Sequence, residues 1–340
     1  MLHNLSIWPA EASSFAGNVD LLFIFLVVVT GAFTLLVFAM VAFFAIKYRQ
    51  RPGHKAKQIE GSYALEATWT LIPFGIFMIM FVWGAVVYMN QVQPPANAME
   101  VFVVGKQWMW KLEHPEGVRE INTLHLPVGR DVRLTMISQD VIHSFYVPAF
   151  RVKQDVLPGR YTTLWFHPIK KGTFNLFCAE YCGTLHSGMI GSVVVMDPAE
   201  YQAWLAGNAN QGTLASEGQK VFAELGCASC HRLDTQGRGP NLAGVYGKPV
   251  MLDNGTTVTA DANYLRESIL NPGAKIVAGF RPIMPTYNGI VSEDQMLSLL
   301  SYMRSLSPQQ NTQAAATEPP APPARTGRTQ VPSAGNTKVK

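Results

Sequence analysis

Apolar and polar positions divide the chain into stretches of different period. Residues 21–46 form an apolar run without a charge, and residues 71–89, opened by Trp69, form a second. A helix needs roughly 20 such residues to cross a bilayer. The pattern therefore predicts a two-helix membrane hairpin over residues 1–96, with helices at about 20–46 and 68–90. Gln93-Pro-Pro-Ala-Asn97 ends it. Short β-rich segments follow: Val101-Phe-Val-Val104, Trp108-Met-Trp110, Val132-Arg-Leu-Thr-Met136, Tyr161-Thr-Thr-Leu-Trp-Phe166, 173–177 and Ser192-Val-Val-Val-Met196. Pro127, Gly129, Pro158 and Gly159 punctuate them. Repeated short strands with turn signals predict an all-β antiparallel sandwich or barrel over 97–200.

Residues 201–212, ending in Gly-Asn-Ala-Asn-Gln-Gly, read as a linker. Over 213–307 the period becomes helical and predicts an all-α domain. Ser216 is placed to cap a helix through Leu225, and Asp261 to cap 262–270, which Asn271-Pro-Gly273 stops. Ser292 and Gln295 form a capping box before the stripe Met296, Leu299, Leu300 and Met303. The tail, 308–340, is rich in Ala, Pro, Thr and Gln without apolar periodicity. Such a segment cannot bury a core and is expected to be disordered.

Charge adds topology. The loop between the apolar runs carries Lys47, Arg49, Arg51, Lys55 and Lys57, and residues 1–20 carry no Lys or Arg. The positive-inside rule puts that loop in the cytoplasm and both termini outside. The first run is too long, and its start too poor in basic residues, for a cleavable signal peptide. The net charge of +4 over 340 residues carries no nucleic-acid signal.

All four cysteines fall in two motifs. The first is Cys178-Ala-Glu-Tyr-Cys182-Gly-Thr-Leu-His186-Ser-Gly-Met189. Soft sulfur with imidazole suits copper, and the thioether speaks against a zinc site of Cys178, Cys182, His186 and His143. A second imidazole must come from elsewhere, and His143 in Asp140-Val-Ile-His143-Ser-Phe-Tyr-Val-Pro148 is the candidate. The second motif, Cys227-Ala-Ser-Cys230-His231, is the pattern of covalent c-type haem attachment. His231 would ligate the iron. Met284, in the proline-stiffened Arg281-Pro-Ile-Met284-Pro285, is the candidate sixth ligand, ahead of Met251. The rival to both metal readings is a pair of local disulfides, which leaves His186, Met189 and His231 unexplained.

With these motifs the sequence resembles subunit II of the haem–copper cytochrome c oxidases, in the bacterial caa-type form fused to a cytochrome c domain. The likeness runs from about residue 15 to 306 and includes the hairpin, Trp108-Met-Trp110, the stretch from Asp140 to Gly159, the copper loop and the haem motif. It implies a cupredoxin-like sandwich holding dinuclear copper (CuA). Cys178 and Cys182 would bridge two coppers, His143 and His186 would each bind one, Met189 would be a weak ligand, and Glu180 would offer its backbone carbonyl. The resemblance also implies that the Glu180 carboxylate helps bind a Mg2+ shared with subunit I. Trp108 becomes the electron-input residue, Glu66 the mouth of a proton pathway in the neighbouring subunit, and Pro240 the carbonyl that orients His231.

The implied function is electron input to a proton-pumping terminal oxidase of the bacterial plasma membrane. Electrons pass from haem c to CuA and on to subunit I, where O2 is reduced to water. The implied partners are subunit I, subunit III and an upstream donor, a cytochrome c or bc-type complex. The soluble domains are expected on the periplasmic side. Two rivals differ in cofactors: a metal-free quinol-oxidase subunit, and a tethered copper carrier without haem. Charge balance within each soluble region suggests a short flexible tether rather than steering, with Trp108 at the contact between domains. His3, His54, His114, His125 and His167 have no partner by spacing and read as surface or core histidines.

Overall fold

The computed structural model describes residues 8–53, 60–208, 212–233 and 237–307. The expected tail, His3 and His54 lie outside these residues. Two helices open the chain: α1 (Ala16–Lys47) and α2 (Tyr63–Val92). Both are long and apolar enough to cross a membrane, and the most apolar windows of both are free of buried residues. Both start earlier than hydropathy alone places them. Ser62 caps α2 by accepting from Leu65 N–H, so its first turn includes polar positions. The start of α1 is tied to the soluble part. Arg151 donates to both oxygens of Asp20 and to the carbonyls of Pro9, Ala10 and Pro148.

Ten strands build the sandwich. They are β1 (Met99–Lys106), β2 (Met109–Glu113), β3 (Arg119–Ile121), β4 (Thr123–Pro127), β5 (Val132–Ser138), β6 (His143–Val147), β7 (Val152–Val156), β8 (Thr162–Phe166), β9 (Gly172–Cys178) and β10 (Ile190–Met196). One sheet runs β3-β2-β1-β5-β8 and the other β4-β10-β9-β6-β7. The sheets are mixed, which corrects the expected antiparallel fold. β1 pairs with β5, and β4 with β10, in parallel. Parallel neighbours need long crossovers, here the intervening hairpins, and no local signal in the sequence announces them. Trp110, Leu112, Leu134, Phe145, Phe166 and Leu176 are fully buried between the sheets.

The region expected to be linker contains a helix, α3 (Pro198–Asn208). Proline opens it, and Tyr201 and Leu205, one turn apart, are buried. Tyr201 Oη hydrogen-bonds His114, whose other ring nitrogen meets Glu120 at 2.9 Å. Glu120 also holds His125, and Trp204 stacks on the His125 ring. His167 pairs with Asp131. All three described histidines that spacing left without partners are thus matched by residues from other segments.

The second soluble unit has α4 (Leu214–Glu224), a hairpin of β11 (Pro249–Met251) and β12 (Thr257–Thr259), α5 (Ala262–Leu270) and α6 (Glu293–Ser305). Thr213 rather than Ser216 caps α4. Asp261 caps α5, and Ser292 with Gln295 forms the capping box of α6. Met296, Leu299, Leu300 and Met303 are all buried against α4 and its neighbours.

Candidate metal centres

The sulfur cluster is positioned by a strand ladder. His143 opens β6 and Cys178 closes β9, and these strands pair with Phe145 opposite Cys178. The loop between β9 and β10 folds back, with Met189 accepting from Cys178 N–H. Cys182 becomes the hub. Its Sγ lies 3.8 Å from Cys178 Sγ, 3.5 Å from His186 Nδ1 and 3.8 Å from Met189 Sδ. His143 Nδ1 lies 3.9 Å from Cys178 Sγ, and the Glu180 carbonyl 3.2 Å from it. The cysteines are free rather than disulfide-bonded, which removes the disulfide rival. His143, Cys178, Cys182 and Met189 are buried, whereas the Glu180 side chain is exposed.

Asp140 decides the chemistry of His143. Its Oδ1 sits 2.8 Å from His143 Nε2. A carboxylate there accepts from Nε2–H and turns Nδ1 toward the sulfurs, where it can donate to a thiolate when the ring is protonated and ligate a metal when it is not. Asp140 is itself held by the N–H groups of Gln107 and Val141. Burial would raise its carboxyl, but these bonds and the one to His143 outweigh it and hold it below the usual value. Burial likewise raises the Cys178 thiol, yet the bond to His143 and nearby backbone bonds pull it down to about 6. Cys182, buried beside it, is pushed up. The site favours a thiolate before any ion arrives. Two thiols, two imidazoles and a thioether in one cluster suit copper better than a tetrahedral zinc, which has no use for Met189.

Trp108 is half-buried in the turn between β1 and β2 and packs against the sandwich core. That turn lies on the metal loop. Gln107 Nε2 donates to the Cys182 carbonyl, and a Cβ on Gly183 (φ 119°) would meet the Trp108 ring at 3.3 Å. Glycine there allows both the left-handed backbone and the close approach.

The helical unit contains a cleft of about 560 Å3, within the range of cofactor pockets. Cys227, Cys230, His231, Pro240, Met284 and Met303 are among its lining. A short 3-10 turn over Cys227–Ser229 places Cys227 one helical turn before His231. His231 Nδ1 lies 2.9 Å from the Pro240 carbonyl. Donation to that carbonyl fixes the ring and leaves Nε2 free to ligate. A Cβ on Gly239 would meet the His231 ring at 2.8 Å, so glycine is needed for that close approach. Met284 lies in the wall between Pro282 and Pro285, whereas Met251 is 60% exposed and is not among the lining residues. The residues present fit a c-type haem.

The family of the cytochrome c oxidase subunit II periplasmic domain matches residues 118–196, and the cytochrome c family matches 215–307. Cytochrome c oxidase subunit 2 of Alkalihalophilus pseudofirmus is 31% identical over 296 residues, covering 82% of this chain and 84% of the relative. This chain belongs to the cytochrome c oxidase subunit II family. The alternative cytochrome c oxidase subunit 2 of Bradyrhizobium diazoefficiens is 32% identical over 229 residues, covering 58% of this chain and 78% of that one. As a subunit II with a cytochrome c domain, the chain is part of a haem–copper terminal oxidase and a membrane protein. The families imply copper in the sandwich and haem c in the helical domain.

Within this subunit II, Asp140 is the residue that sequence reasoning passed over. It stands in the quoted motif, three positions before His143, but only the folded turn shows its carboxylate on the ring. Glu66 lies exposed in the first turn of α2.

Proposed function

We propose that the chain is the electron-input subunit of its oxidase, taking electrons into the cytochrome c domain and passing them through a dinuclear copper centre to subunit I. One observation carries this reading: Cys182 gathers a second thiol, an imidazole and a thioether within 3.8 Å while Asp140 turns His143 Nδ1 toward Cys178. Bound in these two sites, copper and haem would each supply one-electron redox chemistry.

The protein's own groups prepare for it. Cys178 and Cys182 would both hold copper through their sulfurs. His143 and His186 would each hold one copper, and Met189 and the Glu180 carbonyl are placed as weak ligands. The strands on either side resist rearrangement when the charge changes. Cys227 and Cys230 would tether the haem, His231 and Met284 would ligate its iron, and Pro240 fixes the imidazole. The purified chain should hold two coppers and one haem, and its electron resonance should show one unpaired electron over two copper nuclei. A single copper with a blue-copper spectrum overturns the dinuclear reading.

The same reading places the sandwich and both termini on the periplasmic side of a bacterial plasma membrane, supported by the basic loop after α1 and the two apolar helices. Subunits I and III and an upstream cytochrome c or bc-type donor are the proposed partners. The exposed Glu180 carboxylate, beside a carbonyl that faces Cys178, is free to share a Mg2+ with subunit I. Trp108, packed on the metal loop, is the proposed electron-input side chain.

Glu66 is the proposed entrance of a proton path, supported by its place at the start of α2 on the basic-loop side. Glu66→Gln should slow turnover of the assembled oxidase at saturating donor while the copper spectrum stays unchanged. Parental turnover in that variant makes Glu66 an ordinary interfacial acid.

A further inference from the structure

A second apolar cluster joins the two soluble units. Phe102 and Val104 of β1, Ile137 of β5 and Tyr161 just before β8 are buried with Leu214, Phe222, Leu297 and Leu300 of the cytochrome c domain. This explains why β1 is apolar without alternation. Val101 and Val103 face the sandwich core, and Phe102 and Val104 face the other domain.

Polar groups fix the register of the contact. The Asn263 side chain grips the Tyr161 backbone from both sides, accepting from its N–H at 2.7 Å and donating to its carbonyl at 3.2 Å. Arg119 meets Glu217 at 2.6 Å, Lys111 meets Asp294 at 3.6 Å, and Leu214 N–H donates to the Pro115 carbonyl. Glu100 is buried with Arg133 of its own sheet on one side and Arg304 of α6 on the other. Domains of one chain move freely unless their interface is large and apolar. Here it is apolar, with Glu100 buried between two arginines. The connection is short as well. Only residues 209–213 separate α3, packed on the sandwich, from α4. Five residues reach at most about 18 Å.

We propose that the cytochrome c domain delivers electrons from a fixed dock on the outer face of sheet β3-β2-β1-β5-β8, with Asn263, Glu217 and Arg304 as positioning residues. This rests on the electron-input reading above and replaces the expected swinging tether. Trp108 packs with the sandwich cluster and is not among the apolar residues of the shared one, so the dock does not rest on it.

The test uses the full chain loaded with copper and haem. Carbodiimide treatment should join Lys111 to Asp294 by an amide, with loss of water, at a yield independent of protein concentration. Flash-initiated transfer from haem to copper should be insensitive to added glycerol. In Asn263→Ala/Glu217→Lys the cross-link should fall at least tenfold. Transfer should slow at least tenfold and become viscosity-dependent, with both metal spectra unchanged. Arg304→Met should do the same from a different element. Parental chain without the cross-link, or loaded variants that transfer at the parental rate, overturn the dock. A chain that takes up no copper or haem instead overturns the proposed function, so the two failures are distinguishable.

Discussion

Met284→Ala should open the sixth position of the haem iron while leaving the haem covalently attached. Met284 lies between Pro282 and Pro285 in the wall of the cleft that Cys227, Cys230 and His231 also line. A thioether bond to iron is weak, and a loop stiffened by two prolines holds it closed at little entropic cost. Methionine also raises the potential relative to harder ligands. Its loss should lower the midpoint by on the order of 0.1 V, within the roughly 0.8 V range that axial ligands span. Carbon monoxide, excluded from the parent, should bind the reduced variant. Visible spectra with and without carbon monoxide, and a redox titration, check this. The other methionine in the wall, Met303, is buried in the α6 stripe and should matter only for packing. An unchanged spectrum in Met284→Ala, with carbon monoxide binding in Met303→Leu, would reassign the ligand.

Both metal motifs were legible because they are local. Four sulfur and imidazole donors within twelve residues need only one loop to meet, and the haem motif is a single turn. His143 was legible because the soft-metal loop, with His186, lacked a second imidazole. What distant segments contribute was not legible. The β6–β9 ladder that brings His143 to Cys178, and the parallel pairing of β1 with β5, are set by pairing between segments far apart in the chain. Strand β7 hid because Val152-Lys-Gln-Asp-Val156 is apolar only at its ends. Helix α3 hid because the Gly-Asn run that begins in its last turn reads as linker, although Tyr201 and Leu205 already had helical spacing. His114, Glu120 and His125 meet because two short strands turn back on each other, which no spacing rule reports. The dock left one trace in the sequence, the unbroken apolar run of β1, a sign of burial on both faces.

Glu113→Gln should stabilise the protein at pH 8 and do little at pH 4. Glu113 ends β2, is 3% exposed, and has one carboxylate oxygen with no hydrogen-bond partner among the described residues. Burial pushes its carboxyl from the ordinary 4.5 up to about 7; Arg119 and Lys111 pull it down, and Asp294 and Glu217 push it up. Between those two values the folded protein holds a proton that the unfolded chain has released. The folded state binds more protons, so stability falls as pH rises through this window. Below it the two states are alike. Above it the full penalty applies, about 3 kcal/mol from the separation of the two values. Glutamine keeps the shape without the charge, so the slope should flatten between pH 5 and 7. At pH 8 the melting temperature of the sandwich should rise by roughly 12–24 °C, at about 4–8 °C per kcal/mol for a domain of this size. Thermal unfolding of the full chain at both pH values decides it, and an equal shift at each would remove Glu113 from the account. Two of the four charged groups acting on it, Glu217 and Asp294, belong to the cytochrome c domain. Loosening the dock with Glu217→Lys should therefore lower the Glu113 value and shrink the pH slope in a chain that still contains Glu113. A slope unchanged by Glu217→Lys would mean that burial within the sandwich alone raises this carboxyl.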